Sequence, residues 1–259
     1  MAEKAQGVLA ISIDLELDVD HASLVRQRKL DELTGHLLER LDSHQIAATI
    51  AVADPMHSAA TEAITGAKQP HEVAVLADAT WAGRGTGRER LARELDRRVG
   101  SAQRAGIAVS TLALRGTEFD EHYDLLPKNS ITALRAEATT QRHGRVAQPH
   151  SLRFGVWQMP VSYRIPGRKC WWFGGEAGYV RRLIGRVASQ HELMHLSIDG
   201  AKLIDCDASG LGTIDLVLAA VARLRERGQL TTRTIQEVAL RLSPPKEKAP
   251  LHSILRPAA

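Results

Sequence analysis

Apolar residues in this chain fall into short unbroken runs that alternate with longer stretches of helical period. Val8–Leu17 is nearly continuous until Asp14 and Glu16 interrupt its end, with Asp18 just beyond. A short apolar run of this kind reads as a strand covered on both faces. Gln27–Ser43 places Leu30, Leu33, Leu37, Leu38 and Leu41 on one side of a helix. Ala47–Ala53, Val73–Ala77, Val109–Leu114, Ser130–Ala136, Gly155–Tyr163 and Leu193–Ile198 read as further strands. Ser58–Thr65, Thr86–Arg104, Tyr123–Leu126, Glu176–Ser189, Gly210–Arg227 and Thr232–Leu242 read as helices, with Gly106 and Gly228 as stop signals after two of them.

Alternation of this kind predicts an α/β domain with a parallel sheet of about seven strands and crossover helices. The sheet is either an open doubly wound one or a barrel. The first strand-to-helix connection carries acids and no Gly-x-Gly-x-x-Gly, which disfavours a dinucleotide site. Gly83–Gly87 reads as a flexible loop rather than a phosphate cradle. One domain is expected over residues 7–243. Residues 244–259, with Pro244-Pro245 and a Lys/Glu run, read as a disordered tail.

Composition narrows the class. Of 259 residues 44% are apolar and 25% charged, as in an ordinary water-soluble domain. No apolar stretch is long enough to span a bilayer. The short polar N-terminus lacks the pattern of a signal peptide, and Cys170 and Cys206 are too few for a disulfide framework. A cytoplasmic location is the default expectation. The net charge of +4 owes much to Arg84, Arg88, Arg90, Arg93, Arg97 and Arg98, but Glu89, Glu94 and Asp96 interleave with them. That mixture is a solvated helix face, not a nucleic-acid groove.

The candidate chemistry sits inside the apolar runs or at their C-terminal ends. In a parallel barrel those ends meet at one mouth, where active sites are built. Read in order, the segments are Ser12-Ile13-Asp14-Leu15-Glu16, Leu37–Ile50, His71–Thr80, Leu114-Arg115-Gly116, Val156–Ser162 and Leu193-Met194-His195-Leu196. Their order and spacing resemble the polysaccharide deacetylase (NodB-homology) family over Gly7 to Leu242. The resemblance implies a deformed (β/α) barrel related to the TIM barrel. It also implies metal-dependent removal of acetyl groups from sugars, in which the cation polarises the carbonyl and activates a water.

Carried over residue by residue, the resemblance places Asp14 as catalytic base, His195 as general acid and Arg115 as the residue that orients the base. Arg115 is the expected ion-pair partner of Asp14. The positions of the family's metal ligands fall on Leu15, Leu76 and Thr80, so no resident metal is expected. A divalent cation such as zinc would need a relocated site, for which Glu16, Asp78 and His21 are the candidates. His71, which precedes its strand, reads as a surface or structural residue rather than a ligand. Glu16, Trp81, Trp157 and Trp172 are the candidate sugar contacts, the indoles as stacking faces. Three functions follow. The first is a degenerate deacetylase that binds an oligo- or polysaccharide, or scaffolds a protein of polysaccharide synthesis. The second is an active N- or O-deacetylase with a reconfigured site, and the third is a non-carbohydrate interaction platform. No nucleic-acid partner and no membrane span are expected.

Overall fold

The computed structural model describes residues 6–17, 23–119, 121–137, 146–167, 174–206 and 209–243. In chain order the elements are β1 (Gly7–Asp14), α1 (Leu24–Ser43), β2 (Thr49–Val52), α2 (Ala59–Thr65), β3 (Glu72–Asp78), α3 (Ala79–Ala82), α4 (Arg88–Leu95), α5 (Ser101–Arg104), β4 (Val109–Arg115), α6 (Leu125–Lys128) and β5 (Ala133–Ala136). They continue with β6 (His150–Ser151), β7 (Trp157–Pro160), β8 (Tyr163–Ile165), α7 (Gly175–Gln190), β9 (Leu193–Asp199), α8 (Gly200–Leu203), α9 (Ser209–Glu226), β10 (Leu230–Arg233) and α10 (Ile235–Leu242). A π-helical turn over Asp96–Gly100 joins α4 to α5, so the expected long helix is present with one wider turn.

All described strands belong to one sheet, ordered β6-β7-β5-β4-β3-β2-β1-β9-β8, with β10 on the N-terminal half of β1. Every pairing is parallel except that of the two-residue β6 with β7. Nine parallel strands therefore replace the seven expected. The two extra parallel strands are β8 and β10. The run read as one strand, Gly155–Tyr163, is in fact a strand that changes neighbour: β7 pairs with β5, and after a two-residue step β8 pairs with β9. At the step, Val161 N donates to the Ala136 carbonyl at 3.3 Å and Ser162 N to the His195 carbonyl at 2.8 Å. The chain itself thus bridges the two sides of a curled sheet.

The curl can be measured by one contact. β1 and β5 are four ladder steps apart, roughly 19 Å along a flat sheet at about 4.8 Å per strand. Yet Arg135 Nη2 on β5 lies 2.9 Å from Asp14 Oδ2 on β1. The two faces also differ in kind. Ile11, Ile13, Val73, Val75, Leu112, Leu114, Leu196 and Ile198 point out and pack under the helices in the main apolar core. Their alternating neighbours point in, and many are polar: Ser12, Asp14, Thr49, Glu72, Thr111, Arg135, His195 and Ser197 are all buried.

The N-terminal end of the barrel is closed by α10. Its Ile235, Val238 and Ala239 pack on Ala10, Ala133 and Met159. Three backbone N–H groups at its start, which a helix leaves unsatisfied, are all received: Ile235 N by Thr49 Oγ1 at 2.8 Å, Gln236 N by Glu72 Oε2 at 3.0 Å and Glu237 N by Thr234 Oγ1 at 3.2 Å. Glu72 also accepts from the hydroxyls of Thr49, Ser110 and Thr111. Burial still holds its carboxyl above the ordinary range, against the lowering effect of those bonds.

Candidate functional site at the barrel mouth

Of the residues that sequence reasoning selected, Asp14 and Arg115 end their strands at the C-terminal mouth and Glu16 follows just after β1. Asp14 is the last residue of β1, faces inward and is 1% exposed. Its expected partner, Arg115, is not its partner. Arg135 is, with two donations from Nη1 and Nη2 to the two carboxylate oxygens. The same guanidinium reaches Ser12 Oγ at 3.3 Å and the Leu114 carbonyl at 3.2 Å. Arg115, also inward but one layer higher, donates instead to the Glu16 main-chain carbonyl at 3.0 and 3.1 Å. Asp14 is oriented by Arg135 instead, which holds both of its oxygens. Arg135 was missed at the sequence level, although an arginine inside an apolar strand must find a counter-charge.

His195 lies on β9 across from Ala10 in register. It is buried, and its Nε2 is 2.9 Å from Ser12 Oγ. Desolvation, with the Arg135 charge next, pushes its pKa down to about 3, although the Met159 and Pro160 carbonyls favour the protonated ring. Those carbonyls do not complete a hydrogen bond, since Nδ1 has no partner among the described residues. Asp14, Arg135, Ser12 and His195 therefore form one sealed polar cluster below the mouth.

Above it lies an open cavity of about 550 Å³ lined by Arg26, Arg115, Glu137, Arg164, Asp199 and Lys202, among others. Its charges are mutually engaged: Arg26 with Asp205 at 2.7 Å, Arg164 with Glu137 at 3.1 Å and Lys202 with Asp199 at 3.2 Å. Asp14 and His195 do not line it.

The residues that the resemblance aligns with metal ligands do not fit a cation. Leu15 packs in the main core, and Leu76 packs with Ala51, Ala74 and Ala113. Thr80 is tied to Asp78, whose Oδ1 accepts both its N–H at 2.8 Å and its hydroxyl at 2.5 Å to cap α3. Of the relocated set, Asp78 is engaged in this way. Glu16 accepts from Ala53 N at 3.1 Å, and burial, the leading cause, raises its pKa. His21 lies outside the described residues. Among the described residues no three His, Cys, Asp or Glu side chains converge to hold a metal ion.

Neither described tryptophan lines the mouth cavity. Trp81 is 2% exposed, in the core, with the Arg98 guanidinium 4.9 Å from its ring centre. Trp157 begins β7 at the opposite end of the barrel, where its Nε1 donates to Ser243 Oγ at 3.1 Å. Trp172 falls outside the described residues. His71, read as surface or structural, has a buried ring that accepts from Ala48 N at 3.2 Å through Nδ1.

Among solved structures, a candidate polysaccharide deacetylase from Mycobacterium smegmatis superposes with a TM-score of 0.66 at 15% identity, over 93% of this chain and 91% of that one. The chain shares its fold with that candidate polysaccharide deacetylase. A candidate polysaccharide deacetylase involved in O-antigen biosynthesis from Bordetella bronchiseptica aligns over 87% and 93% of the two chains, with TM-score 0.51 and 11% identity. The 4-α-glucanotransferase of Thermococcus litoralis gives 0.60 at 11% identity, with 92% of this chain matching 41% of that one. No family model and no curated protein sequence matches the chain. No described helix is long and apolar enough to cross a membrane.

Proposed function

We propose that this chain uses a polysaccharide-deacetylase fold in polysaccharide metabolism to hold an oligo- or polysaccharide, or to scaffold a protein of polysaccharide synthesis, without metal-dependent hydrolysis. The observation that carries the reading is the sealed cluster of Asp14, Arg135 and His195. A general base must reach the proton it removes. Asp14 is 1% exposed, and both its oxygens are held by a guanidinium that is itself fully buried. A general acid must carry a proton near neutral pH, whereas His195 is held neutral by burial. With leucines at two of the aligned ligand positions, nothing there polarises an acetyl carbonyl. The mouth cavity supports binding: it has the volume of a small-ligand site and is lined by guanidinium, ammonium and carboxylate groups that can pair with sugar hydroxyls.

Two assays test this together. Acetate release from acetylated oligosaccharides is measured with zinc, cobalt or manganese present, and binding of the same sugars by calorimetry. No release above the blank is expected, with binding weakened by Arg164→Ala and Lys202→Ala. Metal-dependent release that vanishes in Asp14→Asn would establish the active deacetylase instead.

A further inference from the structure

A second cavity, of about 720 Å³, lies at the other end of the molecule. It is bounded by the loop after α1, the last turn of α9 and the strand β10, all at the N-terminal end of the parallel strands. We propose that this cavity binds a small molecule through an oxyanion group, a phosphate or a carboxylate, held by Arg225 and Arg233.

Three observations support the assignment. First, neither arginine is engaged by a carboxylate as closely as Arg26 and Arg164 are at the mouth. Arg225 donates through Nη1 to two main-chain carbonyls, of His44 at 2.9 Å and Gln45 at 2.7 Å. Arg233 meets the Glu237 carboxylate only at 3.5 Å. By contrast Arg26 at the mouth makes two bonds to Asp205, at 2.7 and 2.9 Å. Second, the Nε–H of Arg233 is buried without a partner among the described residues. An arginine Nε can only donate, so whatever completes it must be an acceptor. Third, the remaining lining includes the neutral Gln6, Gln45 and Thr232, with Glu226 as the single carboxylate. Amides and hydroxyls can complete an oxyanion's shell while the two guanidinium groups supply its counter-charge. The volume falls within the roughly 300–1,000 Å³ of small-molecule sites.

The test uses the whole chain. Thermal unfolding is followed in inorganic phosphate and in citrate against sodium chloride of matched ionic strength, and binding is measured by calorimetry. Specific stabilisation is expected. If phosphate produces it, the ligand carries a phosphoryl group; if citrate does, a carboxylate. Arg225→Gln and Arg233→Gln should each weaken binding about tenfold, the usual worth of a charge-assisted bond. Indistinguishable curves in all three salts overturn the proposal, as does an undiminished response in the doubly substituted protein. Should that protein not fold, Glu226→Gln at the exposed rim decides. It is expected to tighten binding about twofold, and unchanged or weaker binding counts against the site.

Discussion

Replacing Arg135 by methionine should unfold this barrel more readily than almost any other single change. The guanidinium donates four hydrogen bonds, two to Asp14, one to Ser12 and one to the Leu114 carbonyl. Methionine fills much of the volume but offers no donor. Asp14, at 1% exposure, cannot then be hydrated and is left as an unpaired carboxylate in a closed space. Breaking one partner of such a pair costs about 3–5 kcal/mol. At about 2–4 °C per kcal/mol for a chain of this size, the unfolding midpoint should fall by roughly 6–20 °C. Removing both charges, as Asp14→Leu with Arg135→Met, should cost far less than the sum of the single changes, because no orphan remains. Urea unfolding at pH 7 of the four proteins completes the cycle. A single-variant cost below about 1 kcal/mol, or strict additivity, would refute the sealed-pair account and reopen Asp14 as a solvent-facing base.

Other outcomes are equally specific. His195 has a folded pKa below that of the unfolded chain, so its neutral ring favours the folded state above pH 6.5, and that advantage is lost as pH falls from 6.5 toward about 3. His195→Gln should flatten this acid limb by at most about 5 kcal/mol, and the His195 resonance should not titrate between pH 8 and 4. Glu72 behaves in the opposite sense. Its raised carboxyl favours the folded state fully below about pH 4.5 and loses that contribution as pH rises through the folded value. The stability of Glu72→Gln relative to the parent should therefore improve with rising pH in denaturant titrations. Glu72→Ala should cost about 1–3 kcal/mol through lost hydrogen bonds and speed amide exchange at Gln236. Trp81→Ala should cost about 3–5 kcal/mol while calorimetric sugar affinity at the mouth stays unchanged, which separates a core indole from a stacking platform.

The alternation of Val8–Leu17, Val73–Ala77, Val109–Leu114 and Leu193–Ile198 with helical stretches was legible because strands buried on both faces leave apolar runs that local pattern detects. β10 was not, since Leu-Thr-Thr-Arg carries no such run and is a strand only because β1 offers it an edge. It took the first residues of the expected Thr232–Leu242 helix, which starts at Ile235. Asp14 ends β1 and His195 lies inside β9, opposite Ala10, both within the apolar runs that marked them, but the pairing of Asp14 was not legible. Arg135 is 121 positions away in sequence, and only the curl of the sheet brings it near. The same limit hid Glu72, whose partners come from β2, β4 and α10.

The placement of β1 has a consequence for synthesis. Its N-terminal half lies between β9 and β10, so both of its edges there are supplied by segments translated about 180 residues or more later. β2 offers a neighbour early, but only to Ser12–Asp14. A nascent chain that stops short of β9 therefore carries an apolar strand with open edges, the kind of template that recruits other chains. Pairing of β1 thus waits until β9 and β10 have both been made, and truncations before Leu230 should turn up in aggregates rather than as smaller folded units.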